Sequence, residues 1–161
     1  MVSVRKIASP GKGGAIPDAR CSALGARFSA FPEVVAVYLF GSAARGTRGK
    51  RSDVDIAVLT RERGISRRGS RSLVEYVQAA CDALGTDNVD VVLLHRAPIA
   101  LRHEVFREGK PLLVCDAQAL TRFRLESSRE YLDTLPLRRM FEEAFFRRVR
   151  RSGFARQASH R

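Results

Sequence analysis

At 161 residues, 45% of them hydrophobic and 29% charged, the chain has the size and composition of one globular domain and is too apolar for wholesale disorder. No apolar run approaches the ~20 residues of a membrane span, and residues 1–16 lack the apolar centre of a secretory leader, so a cytoplasmic location is expected. The formal charge of +12 comes mainly from arginine, but the basic residues are interleaved with acids and do not alternate with aromatics, which argues against direct nucleic-acid binding.

In chain order, residues 1–16 are poor in apolar side chains and read as a flexible arm. Gly11-Lys12 within it lacks the glycine spacing and the following Ser/Thr of a P-loop. The domain itself is expected over 17–150. A first helix is predicted over 18–30, with Cys21, Leu24 and Phe28 on one stripe. The apolar, β-branched runs 34–40 and 54–59 predict buried strands, joined by a Gly- and Arg-rich turn that begins at Gly41-Ser42. Residues 61–70 read as a charged loop. Leu73, Val74, Val77, Ala80, Cys81 and Leu84 mark an amphipathic helix closed by Gly85. A strand at 89–94 follows, then a helix opened by Pro98, carrying Leu101 and Val105 and closed by Gly109. Residues 111–114 form a fourth strand, placed at an edge by Pro111. From Asp116 the pattern is helical, first over 117–133 and then, with Pro136 as the break, over 137–150. The latter carries Leu137, Met140, Phe141, Ala144, Phe145 and Val149 on one broad stripe, expected to pack on the parent sheet; Phe146 widens it beyond the needs of a single core face, which keeps a partner interface open. Residues 151–161 are a basic tail expected to fray. Together these elements give an α/β fold: a mixed sheet of about four strands with helices packed mainly on one face, plus C-terminal helices.

Two carboxylates, Asp53 and Asp55, open the second strand one residue apart, so they share a face with Cα atoms ~6.7 Å apart. Acids so placed repel unless a cation neutralises them. A hard ion such as Mg²⁺ takes oxygen ligands and shares them with substrate phosphates. The Gly41-Ser42 turn supplies the other half of such a site: glycine lets the backbone approach closely, and amides and the Ser42 hydroxyl can face a phosphate. One stretch therefore carries both metal ligands and phosphate donors, the outline of a nucleotide-handling site. The bland alternative, acids that merely pair with Arg45, Arg48 or Arg51, leaves their shared face unexplained. Asp90 lies near the start of an otherwise apolar strand, where a charge is costly unless paired or metal-bound; an exposed strand-end acid fits that position equally well. His95, His103 and His160 lack a partner at zinc-ligand spacing. Cys21, Cys81 and Cys115 stand far apart, two of them on apolar stripes, and read as core thiols of a reducing compartment.

Gly-Ser, ten intervening residues and Asp-x-Asp resemble the signature of the DNA polymerase beta-like nucleotidyltransferases. The fuller pattern of Gly41, Ser42, Ala44, Arg45 and Gly46 with Ser52, Asp53 and Asp55 is similar to their minimal (MNT) branch. Residues 122–136 resemble the C-terminal helix of MNT antitoxins, so the likeness spans about 33–140. The resemblance implies the nucleotidyltransferase fold and a third carboxylate on the next strand, for which Asp90 is the candidate. It further implies ATP as substrate and two Mg²⁺ ions held by Asp53, Asp55 and Asp90. Gly41, Ser42, Arg45 and Ser52 fall on the nucleotide side. The acceptor it implies is a tyrosine of a partner HEPN toxin, with this chain as the antitoxin. Two readings from other classes stay open: an idle module that neutralises its partner by occlusion, and a small-molecule nucleotidyltransferase that borrows a pocket from a homodimer mate.

Overall fold

A computed structural model describes residues 16–47, 49, 52–61 and 67–153. The elements are α1 (Asp18–Phe28), β1 (Val34–Phe40), α2 (Gly41–Ala44), β2 (Val54–Thr60), α3 (Arg67–Leu84), β3 (Val89–Leu93), a 3₁₀ turn (Leu94–Arg96), α4 (Ile99–Glu108), β4 (Lys110–Val114) and α5 (Ala117–Gly153). The strands form one mixed sheet in the order β3-β2-β1-β4. β1 runs antiparallel to both β2 and β4, whereas β2 and β3 are parallel. Parallel neighbours need a crossover connection, and α3 provides it. Every residue of β1 is buried, as its Val- and aromatic-rich sequence demands of a central strand covered on both faces. β4 lies at an edge, as Pro111 requires.

Alternation along the strands splits the core in two. On one face Val37, Leu39, Val54, Ile56 and Val58 pack against Leu24 and Phe28 of α1 and against Tyr76, Ala80 and Leu84 of α3. On the other, Tyr38, Phe40, Ala57 and Leu59 pack against Val105 of α4 and Phe123 of α5. Helices therefore cover both faces, which corrects the expectation that they lie mainly on one. The sequence holds two amphipathic pairs of helices, and a sheet whose central strands are apolar on both sides has to bury both.

Three further points differ from the sequence reading. The charged stretch 61–70 is already helical from Arg67, and its residues 62–66 lie outside the described residues. The buried stripe of α3 runs through Tyr76 rather than Val74, which is 70% exposed. Tyr76 fills the space beside Phe28 and Phe31 and donates its hydroxyl to Glu33 at 2.7 Å. α5 is one helix with Pro136 inside it, not two. Proline's fixed φ is compatible with a helix; the ring removes one amide and its i→i−4 bond, and the good helix formers Leu135, Leu137 and Met140 around it carry the helix on. The proposed arm lies outside the described residues except for Ile16, which packs on the core, and the proposed tail lies outside them after Gly153. Of the cysteines, Cys21 is buried, Cys81 half-buried and Cys115 exposed. No helix among the described residues is long and apolar enough to cross a membrane.

Candidate active site at the carboxylate edge of the sheet

The ends of three strands meet at one edge. Antiparallel pairing sets Phe40, the last residue of β1, opposite Asp55 near the start of β2. Parallel pairing sets Asp55 opposite Asp90 near the start of β3. Asp53, two residues before Asp55, falls on the same side of the strand. The three acids thus share the face that carries Ala57 and Leu59, the side covered by α4 and α5. Asp87, the nearest other acid on that segment, precedes β3 and has no place in this register.

Chain direction reverses at Gly41, whose φ of +64° is a left-handed conformation that L side chains rarely adopt. Space demands glycine independently. A Cβ on Gly41 would lie 2.1 Å from Oδ2 of Asp55, so only a residue without one lets the carboxylate rest against the turn. The single turn of α2 follows. Its first carbonyl accepts the Arg45 amide at 3.3 Å, and that of Ser42 accepts the Thr47 amide at 3.0 Å. The first amides of so short a helix have no partner within it, and the turn lies against the Asp55 carboxylate. Ser42 itself is half-buried. Ser52 closes the return into β2 by accepting the Gly49 amide on its hydroxyl at 3.2 Å, so it shapes the approach of Asp53.

The electrostatics follow from this crowding. Asp53 and Asp90 are exposed, while Asp55 is half-buried between them. Burial raises the Asp55 carboxyl above the ordinary carboxylate range, and the charges of Asp90 and then Asp53 push it further; Arg45 partly offsets this and Glu104 adds to it. Arg45 extends from the turn to α4, where its guanidinium lies 3.5 Å from Glu104 and 3.2 Å from Glu108. Glu108 is held below its ordinary pKa, first by Arg107 and then by Arg45. These two glutamates were missed in the sequence, and their spacing on one polar helix face was the signal available. Among the described residues no three His, Cys, Asp or Glu side chains are already gathered at ligand distance. The donor set is nonetheless all carboxylate oxygen, which suits Mg²⁺ rather than zinc.

The histidines take structural roles. His95 donates from Nε2 to the Thr60 carbonyl at 2.6 Å and meets Phe123 edge-on, and His103 stacks on Tyr131 at 3.8 Å. His160 lies outside the described residues.

A family model described as polymerase beta nucleotidyltransferase matches residues 24–118, from α1 into the first turn of α5, and so includes every element of the carboxylate edge. The chain belongs to the polymerase beta nucleotidyltransferase family. The chain is 39% identical over 83 residues to the protein adenylyltransferase MntA of Shewanella oneidensis; the match covers 50% of this chain and 55% of that protein, so the chain spans about half the length of the curated relative. Among solved structures, a toxin–antitoxin complex with AMP-PNP matches with a TM-score of 0.62 at 26% identity, over 75% of this chain and 94% of that one. A complex of tri-AMPylated Shewanella oneidensis HEPN toxin with MNT antitoxin matches with a TM-score of 0.55 at 25% identity, over 73% and 87% of the two chains.

Proposed function

We propose that this nucleotidyltransferase transfers AMP from ATP to a hydroxyl of a partner HEPN-type toxin, a tyrosine, and acts in the cytoplasm as the antitoxin of the pair. The observation that carries the reading is the register of Asp55 against Asp90 beside a glycine turn that only glycine can make. The adenylyltransferase name of the relative and the AMP-PNP and AMPylated-toxin complexes among the structural neighbours support it.

Each residue then has a task. Asp53, Asp55 and Asp90 would hold Mg²⁺, which when bound offsets the charge of the triphosphate and of the departing pyrophosphate. Gly41 brings the turn amides close enough to receive the β- and γ-phosphates, with the Ser42 hydroxyl beside them. Holding those phosphates presents the α-phosphorus to the acceptor in line. Asp90, on the strand beyond Asp55, faces the acceptor side and takes the proton of the attacking hydroxyl as its oxygen bonds to the α-phosphorus and pyrophosphate leaves. Arg45 and Ser52 flank the nucleotide. Ser52 acts by fixing the turn into Asp53, and Arg45 by the positive charge it brings beside Asp55.

With a purified HEPN-type partner and Mg²⁺, label from α-labelled ATP should pass to the partner and label from γ-labelled ATP should leave as pyrophosphate. If the partner binds tightly yet mass spectrometry finds no added nucleotide, occlusion is the function and transfer is not.

A further inference from the structure

α5 is a helix of 37 residues, about 55 Å long at ~1.5 Å per residue, and the described ties to the body of the protein fall in its first half. Phe123 is buried against the sheet and Ser127 is buried, and two described ties run to α4: Arg102 meets Glu130 at 3.1 Å and His103 stacks on Tyr131. Beyond that point the helix continues with Leu132, Leu137, Met140, Phe141, Phe145 and Phe146 all exposed, Phe141 by 67% and Phe145 by 62%. Leu137, Phe141 and Phe145 repeat every four residues, with Met140 and Ala144 filling between them, so they form one continuous stripe. A stripe of this size on a chain with no membrane-spanning helix among its described residues marks a binding surface.

Charge selects the occupant. Over 137–151 the sequence has six arginines against two glutamates. A second copy of this chain would bring an equally basic segment against the first, which like-charge repulsion disfavours. An apolar groove with an acidic rim on a different protein fits both the stripe and the positive charge of this segment. Position adds a reason. α4, to which α5 is tied at residues 130–131, also carries Glu104 and Glu108 at the carboxylate edge. A protein held on the outer half of α5 is thereby kept on the sheet face that bears Asp53, Asp55 and Asp90.

We propose that α5 from Leu132 onward is the docking arm for the acceptor protein, seating Phe141 and Phe145 in an acid-rimmed apolar groove of that partner. This rests on the reading of the partner as the AMP acceptor. Full-length protein and the variants Phe141→Glu/Phe145→Glu and Arg147→Glu should be compared in calorimetric binding to a purified HEPN-type partner, in AMP transfer to it, and in Mg·ATP binding. The phenylalanine pair should weaken partner binding and raise its KM by at least ~30-fold, the loss of a single aromatic hot spot, while Mg·ATP affinity and kcat at saturating partner hold. Arg147→Glu should weaken partner binding in low salt and lose most of that effect in high salt. These side chains are exposed, so unchanged circular dichroism is expected and separates docking from unfolding. If the wild type binds the partner through this stripe but transfers nothing, the transferase reading fails and the docking arm stands. If transfer proceeds with the KM for partner unchanged in the phenylalanine pair, the docking arm is refuted and transfer stands. It is equally refuted if the wild type binds no HEPN-type partner, or sediments as a dimer that the phenylalanine pair converts to monomer.

Discussion

Replacing Asp55 by asparagine should make the metal-free protein more stable while weakening its use of Mg·ATP. Asp55 faces Asp90 across a parallel pair of strands, and such strands lie ~4.8 Å apart. Two unit charges ~5 Å apart repel by about 0.8 kcal/mol in water and about 3 kcal/mol at an effective dielectric of ~20. Asp90 is exposed and Asp55 only half-buried, so screening keeps the net gain near the lower figure, about 1 kcal/mol. For a chain of this length that is roughly 2–4 °C in Tm. The sign against pH follows from the raised Asp55 carboxyl. The folded state keeps its proton to higher pH than the unfolded chain, where aspartate titrates near ~3.9. The cost of the charged form is therefore full above the raised folded pKa and vanishes as pH falls below ~3.9. Thermal unfolding in chelated, low-salt buffer at pH 7.5 should place Asp55→Asn above the wild type, with the gap shrinking at pH 4.5 and in added salt. Added Mg²⁺ should then raise the Tm of the wild type more than that of the variant. A variant that melts below the wild type at pH 7.5 without metal would refute the picture of three crowded acids at this edge.

Gly41→Ala meets both a positive φ and the Asp55 carboxylate. It should cost about 1–2 kcal/mol in chemical denaturation from backbone strain and lower AMP transfer by about 10²-fold through displacement of the turn. Asp90→Asn should leave Mg·ATP affinity in calorimetry close to wild type and slow labelled transfer by at least ~10²-fold, the low end for lost acid–base assistance. Loss of affinity and rate together would move Asp90 to the nucleotide side, and loss of neither would make it a strand-end acid.

The carboxylate edge was legible because its information is local. Gly41 to Asp55 is one strand–turn–strand, and period-two alternation alone puts Asp53 and Asp55 on one side. Asp90 was a candidate through the family resemblance, but its place opposite Asp55 comes from the parallel register of β3 on β2, a pairing the sequence does not state. The face assignments of the helices were out of reach for the same reason: each amphipathic stripe shows that a face is buried, not which side of the sheet buries it. Within α3 the apolar periodicity put Val74 on the buried stripe, but Val74 is exposed and the buried position is Tyr76, whose hydroxyl reaches Glu33 and whose ring packs on Phe28 and Phe31. Pro136 was read as a break because interior prolines usually are; the continuous helix shows one missing hydrogen bond outweighed by its neighbours.

Arg45 lies where local and distant information meet. As part of the Gly-Ser turn it is placed by the motif, but its partners Glu104 and Glu108 come from α4, 59 and 63 residues further on. All three side chains are at least one-third exposed, and pairs of that kind contribute at most about 1 kcal/mol each. Stability is therefore a poor reason for them to meet. Their effect on Asp55 is of another kind: Arg45 lowers the cost of its charge and Glu104 raises it. Among the described residues, this leaves several carboxylates and one guanidinium at the acid edge, a charge balance in which bound cations stabilise the acids. The charge that Asp55 feels is therefore a property of the folded edge, in which α4 takes part, rather than of the Gly-Ser/Asp-x-Asp stretch alone.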